Sequence, residues 1–169
     1  MDESTSQNDL APWLRMAHRY DGLRELDEDG ELNPTVRSFF RATHYPMELV
    51  TKRTPWCSAF ACTVFELCHI PHPHSARARD WLASALFIHL REPVLGAVLV
   101  FDRQVTGTET LHGHVGFCDR ALISSHQTDV QCFAGNQSNA VCGRRQNLAH
   151  LIGVLWPAGY PVHPAAVLL

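Results

Sequence analysis

Cys57 is the residue of this sequence whose type and position most favour covalent chemistry. Thr54 is expected to cap a helix and Pro55 to occupy its first position, so that Cys57 lies in the first helical turn. Unpaired backbone N–H groups and the positive end of the helix dipole favour a thiolate there. A thiolate attacks carbonyl carbon, so this placement predicts an activated, nucleophilic cysteine. The other five cysteines are interpreted as small buried hydrophobic residues.

A nucleophilic cysteine needs a base within hydrogen-bond reach, and the eleven histidines of the chain supply the candidates. His114 is the best placed, because it begins an apolar segment at 114–118 and has glycines nearby that let another part of the chain approach closely. Strand alternation puts His112 on the same face, which makes it the main competitor. The other nine histidines are expected to be solvated surface side chains.

A base needs a third group to orient it, and the polar segment 135–139 is the candidate. It reads Gly-Asn-Gln-Ser-Asn and follows an apolar segment at 130–134 directly. The Asn136 amide is expected to accept the N–H of the His114 ring and fix its tautomer, and Gln137 is able to do the same. A polar turn that closes a hairpin is the equally weighted alternative.

The elements that must position these residues fall into two halves of the chain. Hydrophobic spacing predicts helices at 12–20, 36–45, 54–68 and 76–90, and strands at 94–101, 114–118, 130–134 and 151–156. Helices followed by strands predict an α+β fold in which a helical N-terminal half packs on one face of a C-terminal antiparallel sheet. Residues 1–11 are predicted to be a polar tail, and 12–169 a single catalytic domain.

Composition and charge exclude several classes of protein. The chain has 169 residues, 46% of them hydrophobic and 18% charged, which fits a globular domain rather than a disordered or fibrous one. A net charge of -3 with no basic tract argues against a nucleic-acid partner. No apolar run approaches the length of a membrane span. The acidic N-terminus lacks the features of a secretory signal, so we expect synthesis in the cytoplasm without a signal peptide.

A zinc site is the main alternative to cysteine chemistry, since histidines at 72, 74, 112 and 114 and several cysteines are potential ligands. The sequence has no pair of CxxC spacings, and the His-Pro-His segment 72–74 does not have the spacing of a helical ligand pair. We therefore expect no metal and no other cofactor. Whether the cysteines form disulfides is left open.

Taken in order, several segments resemble a known family. They are Pro12-Trp13 with Ala17, the Gly22-Leu23-Arg24-Glu25 turn, Asn33, the Thr54 to Phe60 segment, Ala78-Arg79-Asp80-Trp81, 93–101, Gly113 to Phe117, Gly135 to Ser138, and Leu155-Trp156-Pro157. This set resembles small bacterial and phage cell-wall hydrolases of the papain-like clan, which includes the CHAP amidases and the NlpC-type endopeptidases. The resemblance covers about residues 12 to 157.

The resemblance implies a papain-like α+β fold and a cysteine peptidase or amidase that cleaves amide bonds in peptidoglycan stem peptides. It implies that Cys57 is the nucleophile, His114 the general base and acid, and Asn136 the orienting residue. We also predict that Trp56 and Gln137 contact the substrate. The acidic segment 25–33 is expected to attract a free amine of the stem peptide, which favours an endopeptidase over an N-acetylmuramoyl-L-alanine amidase.

Two biological settings fit such a protein. One is an antibacterial effector of a contact-dependent machine such as the type VI secretion system, and the other is a phage endolysin. Both act on peptidoglycan in the periplasm or cell wall, and an effector is expected to have a cognate immunity protein and a carrier in the secretion machine. A catalytically inert wall-binding module of the same fold is the remaining alternative.

Overall fold

The computed structural model describes residues 10–103, 112–120, 122 and 126–162, and its helices lie in the N-terminal part of the chain. They are α1 (Pro12–His18), α2 (Pro34–Phe39) and α3 (Cys57–Leu67). Single 3₁₀ turns lie at Phe40–Ala42, Met47–Leu49, Ala78–Ala83 and Leu148–His150. Proline opens both α1 and α2, where its missing N–H and fixed φ suit the first helical turn.

The strands form a six-stranded sheet in which all neighbouring strands are antiparallel. They are β1 (Phe87–His89), β2 (Val98–Arg103), β3 (His112–Arg120), β4 (Asp129–Ala134), β5 (Cys142–Asn147) and β6 (Leu151–Pro157). Their order in the sheet is β1-β6-β2-β3-β4-β5. The α+β class, with N-terminal helices packed on a C-terminal antiparallel sheet, is therefore confirmed.

Helix α3 packs on the middle of this sheet and carries the core. Phe60 and Phe65 face β3, where both rings lie within 6.5 Å of Phe117. Trp13 of α1 stacks on Phe65 at 5.6 Å, and its indole donates to the Gly96 carbonyl at 2.6 Å. The hydrophobic cluster extends from Trp13 to Trp156. Such dense aromatic packing fixes the start of α3 against β3.

The predicted helix at 76–90 is wrong. This segment forms the 3₁₀ turn Ala78–Ala83 and then strand β1, which pairs with β6. Phe87 packs against Trp81 and Phe65, and this tertiary contact favours an extended edge strand over a second long helix.

Strand β5 is the element that the hydrophobic pattern missed, because it is a polar edge strand with exposed arginines at 144 and 145. The other predicted helices and strands are present with shifted ends. Residues 1–9 of the predicted tail, which covers 1–11, and the last seven residues of the chain lie outside the described part. Among the helices that are described, none is long and apolar enough to cross a membrane.

Candidate active site

Cys57 is the first residue of α3, preceded by Trp56 in a non-helical conformation. The sequence placed this cysteine in the first helical turn, which is confirmed, but the predicted cap is wrong. No side chain caps α3; the Thr54 hydroxyl oxygen instead accepts the backbone N–H of Thr51 at 3.0 Å. Pro55 lies before the helix rather than in it. The unpaired N–H groups of the first turn therefore remain directed toward the cysteine end of the helix.

Trp56 is fully buried and anchors this end of the helix. Its indole Nε1 donates to Oε1 of the buried Glu25 at 2.8 Å, and a Cβ placed on Gly135 would lie only 2.5 Å from its ring. The side chain does not reach the surface, so the predicted substrate contact of Trp56 does not fit its position. The buried Trp56 side chain fixes the backbone immediately before Cys57.

Burial dominates the ionisation of the Cys57 thiol. The side chain is only 4% exposed, and burial raises its pKa above the ordinary value. Backbone N–H groups of Val115, Ser58 and Cys57 itself, together with the positive charge of Arg103, oppose this rise in the pKa without cancelling it. Burial thus opposes the activated thiolate that the helix end predicts, and the activation of Cys57 stays a prediction.

His114 lies on β3 with its imidazole buried. It is 5% exposed, and neither Nδ1 nor Nε2 has a hydrogen-bond partner among the described residues. Burial lowers the pKa of His114 to about 4, the charge of Arg103 lowers it further, and the adjacent Gln137 amide opposes the fall. The ring is therefore neutral at pH 7. Its orphaned nitrogens are unusual, since buried polar atoms nearly always find a partner.

Cys57 begins α3 and His114 lies on β3, and these two elements pack against each other; no hydrogen bond joins the thiol to either ring nitrogen. The sulfur interacts with the backbone N–H of Val115, the residue that follows His114. Cys57 opens onto a groove of about 460 Å³ that is also lined by His112 and Gly113. His114 lines a neighbouring pocket of about 380 Å³. The competing histidine at 112 thus shares the cysteine's groove, whereas His114 lies one residue from the thiol's backbone contact.

The two amide candidates both line the pocket of His114, but their environments differ. Asn136 has a positive φ of 59° and makes no side-chain hydrogen bond to the described residues. Gln137 is 3% exposed; its Nε2 donates to the carbonyls of Cys132 at 3.1 Å and Cys142 at 2.5 Å. Its Oε1 accepts from Gln146 at 2.8 Å, which leaves one lone pair for the adjacent imidazole.

This burial makes the predicted substrate contact of Gln137 a poor fit. The side chain is enclosed and lies beside His114. The sequence offers Gln137 as the alternative to Asn136 but gives no indication of Glu25 as the partner of Trp56. A lone glutamate in an acidic, turn-rich segment carries no sign that it will be buried.

The described residues contain no group of three or more His, Cys, Asp or Glu side chains arranged to hold a metal ion. The rings of His72 and His74 lie 4.0 Å apart, tilted by 45°, in the loop before the Ala78–Ala83 turn. All six cysteines are free thiols.

Comparison with known proteins gives one structural similarity. No protein-family model matches the chain, and no curated protein matches it. The fold is similar to the crystal structure of a Staphylococcus aureus subsp. aureus Mu50 protein described as similar to a lipoprotein of the NLP/P60 family. The TM-score is 0.48 and the identity 16%, over 92% of this chain and 44% of that one. The chain thus spans less than half of that protein, and a likeness at this level does not establish a shared activity.

Proposed function

We propose that this protein is a cysteine-dependent hydrolase of amide bonds, with Cys57 as nucleophile and His114 as base. The observation that carries the proposal is the contact of the Cys57 sulfur with the strand residue next to a buried imidazole that has no partner. An unpaired buried imidazole is costly unless function requires it. A free ring nitrogen is available to accept the proton that the thiol releases when the sulfur attacks.

The ionisation of both groups dictates how the reaction begins. Thiol and imidazole are both neutral at rest, so the proton passes from Sγ to the ring of His114 as the sulfur bonds to the amide carbon. The C=O electron pair moves to oxygen, where the backbone N–H of Cys57 helps to hold the charge. The C–N bond then breaks, and the leaving amine takes the proton from His114.

A water molecule completes the reaction. It gives a proton to His114 as it attacks the thioester carbon; the C–S bond then breaks to release the acid, and His114 returns the proton to the sulfur to restore the thiol. Gln137 lies beside the imidazole, and its free lone pair is available to accept a ring N–H when His114 becomes charged. We therefore propose Gln137, rather than the predicted Asn136, as the residue that orients His114, because the Gln137 amide is fixed by three hydrogen bonds.

The substrate that we propose is the peptide stem of peptidoglycan. The resemblance of the ordered sequence motifs to cell-wall hydrolases supports it, and a groove of about 460 Å³ beside Cys57 has the size of a ligand site. Within this class, endopeptidase and amidase activities use the same cysteine and histidine. Mass spectrometry of digested muropeptides distinguishes them by whether peptide fragments or intact stems are released.

Release of soluble fragments from purified peptidoglycan tests the activity. Cys57→Ala is expected to abolish release, and Cys62→Ala is the matched control, because Cys62 is a buried thiol of the same helix that donates to the Ser75 carbonyl. His114→Ala is expected to abolish release and His112→Ala to retain it. Undiminished release by Cys57→Ala would refute the nucleophile. Loss in His112→Ala alone would transfer the base to that residue.

We further propose that the protein acts in the periplasm or cell wall as an antibacterial effector, with a phage endolysin as the alternative. An effector requires a cognate immunity protein and a carrier in the secretion machine. Expression in a Gram-negative host is expected to be toxic with a periplasmic signal and tolerated without one, and Cys57→Ala is expected to remove the toxicity. Equal toxicity in both compartments would indicate a cytoplasmic target and refute peptidoglycan as the substrate.

A further inference from the structure

The groove beside Cys57 carries charge of one sign. Three arginines line it, at 53, 77 and 79, and no acidic residue is among the described residues that do so. This contrasts with the net charge of -3 of the whole chain. Local positive charge in a concave site attracts and orients anionic groups. The residues around the thiol therefore favour an anionic substrate.

Arg79 is the arginine whose position is fixed. It lies in the 3₁₀ turn Ala78–Ala83, and a Cβ placed on Gly113 would lie 2.9 Å from its Cγ. The missing side chain at 113 thus lets the arginine cross β3 directly beside His114. Its Nη1 donates to Oδ1 of Asp102 on β2 at 2.8 Å, and both side chains are somewhat more than a quarter exposed.

The ion pair with Asp102 leaves most of the guanidinium unused. Arginine has five N–H donors in a planar fork, and one nitrogen of Arg79 donates to Asp102. The remaining donors have no hydrogen-bond partner among the described residues. A guanidinium that is pre-oriented by one carboxylate binds a second carboxylate at little further cost in side-chain entropy.

We propose that Arg79, with Arg77 beside it, binds a carboxylate of the substrate next to the amide that Cys57 attacks. This inference rests on the proposed hydrolase function and names the chemical group by which the groove selects its substrate. It replaces the expectation that the acidic segment 25–33 attracts a free amine. Glu25 of that segment is buried against Trp56, and none of its acidic residues is among the described residues of the groove.

Stem peptides with one carboxylate changed at a time provide the test. The substrate is the tetrapeptide L-Ala-γ-D-Glu-diaminopimelate-D-Ala, and each free carboxylate is replaced in turn by a carboxamide. Amidation of the recognised carboxylate is expected to lower kcat/KM of the wild-type protein about 10- to 100-fold, since charged hydrogen bonds are of that strength. Arg79→Gln is expected to hydrolyse this pair of peptides at equal rates.

Two further variants separate charge, geometry and folding. Arg79→Lys keeps the charge but not the fork, so its preference for the carboxylate is expected to be intermediate. Arg91→Gln is the charge-matched control; this exposed arginine lines neither the groove nor the pocket of His114, and its variant is expected to keep the full preference. Wild-type protein indifferent to every amidation, or the same preference in Arg79→Gln, would overturn the proposal.

Binding measured without turnover distinguishes this inference from the proposed function. Titration calorimetry of Cys57→Ala with the same peptides is expected to show tighter binding of the carboxylate form, and the Cys57→Ala/Arg79→Gln double variant is expected to lose the difference. If the wild-type protein hydrolyses no peptide but calorimetry shows this difference, the carboxylate site holds and the hydrolase proposal fails. Equal binding of both forms to Cys57→Ala refutes the site.

Discussion

The indole Nε1 of Trp56 donates a 2.8 Å hydrogen bond to Oε1 of Glu25, and both side chains are buried next to the start of α3. The backbone of Glu25 extends the connection. Its N–H donates to the Asn139 carbonyl, and its carbonyl accepts the N–H of Asn33, each at 2.8 Å. One residue thus ties the cysteine end of the helix to the loop that carries Gln137. We infer that Glu25 positions the catalytic groups without touching the substrate.

Glu25→Ala is therefore expected to lower both stability and turnover. It leaves a buried indole N–H without an acceptor, which costs about 1 to 3 kcal/mol in the free energy of unfolding. Glu25→Gln keeps an acceptor at the same place and is expected to rescue most of both losses. Glu28→Gln, an exposed position of the same segment, is the control. Urea unfolding measures the change in stability, and kcat measures the change in turnover. A Glu25→Ala protein with wild-type values of both would exclude a positioning role for Glu25.

The two amide candidates make opposite predictions for activity. Gln137→Ala is expected to lower kcat about 10- to 150-fold, because it removes the acceptor available to the imidazole when His114 becomes charged during the reaction. Asn136→Gly, which suits the positive φ at that residue, is expected to leave kcat near the wild-type value. Loss of turnover in Asn136→Gly with little change in Gln137→Ala would restore Asn136 as the orienting residue.

The pH profile of kcat/KM in Gln137→Ala shows whether Gln137 positions the His114 imidazole or only stabilises the fold. The Gln137 amide holds the pKa of His114 up against burial. Removing the amide therefore moves the acid limb of kcat/KM toward lower pH, whereas a general loosening of the fold would expose the imidazole and move that limb upward. The direction of the shift in Gln137→Ala is the measurement that decides.

The buried imidazole also makes stability depend on pH. Burial and the charge of Arg103 lower the pKa of His114 to about 4, whereas the unfolded chain has a pKa of about 6.5. The unfolded state therefore binds more protons between pH 6.5 and 4, and the free energy of unfolding falls by about 3 kcal/mol as the pH drops through that window.

His114→Gln is the variant that tests this contribution, since glutamine has no charge to gain. Urea unfolding at pH 7, 5.5 and 4 is expected to show a flatter dependence in His114→Gln than in the wild-type protein. Burial also lowers the pKa of His72, but that contribution is common to both proteins and cancels in the difference. Parallel pH curves would show that the imidazole is solvated in the folded state.

Hydrophobic periodicity predicted the elements that carry the candidate site, because α3 and β3 are buried and their patterns are strong. It failed where pairing decides the structure: Phe87 extends the chain as an edge strand beside β6, and the polar strand β5 is held by its hydrogen bonds to β4. The first-turn position of Cys57 was predicted correctly, although the two local signals used for it, Thr54 and Pro55, both lie before the helix. Its burial, and the enclosure of Gln137, were not predicted, since both result from contacts between segments distant in the sequence.

The ionisation of Cys57 in the resting protein determines how the rate of its alkylation depends on pH. A cysteine whose pKa is lowered by a charged imidazole is a thiolate at neutral pH. Alkylation of such a cysteine reaches its full rate well below pH 7. Here burial raises the pKa of the Cys57 thiol and lowers that of His114, so both groups are neutral at pH 7. The rate of alkylation of Cys57 by iodoacetamide, followed by mass spectrometry, is therefore expected to rise continuously from pH 6 to pH 9.

Cys62 supplies the internal control for this measurement. Burial raises its pKa to about 12, and it does not line the groove, so it is expected to react far more slowly than Cys57 at every pH. Arg103 lowers the pKa of Cys57, and Arg103→Gln is accordingly expected to move the alkylation curve of Cys57 to higher pH. A plateau below pH 7 in the wild-type protein would show a preformed thiolate, and proton transfer to His114 would then precede substrate binding instead of accompanying the attack.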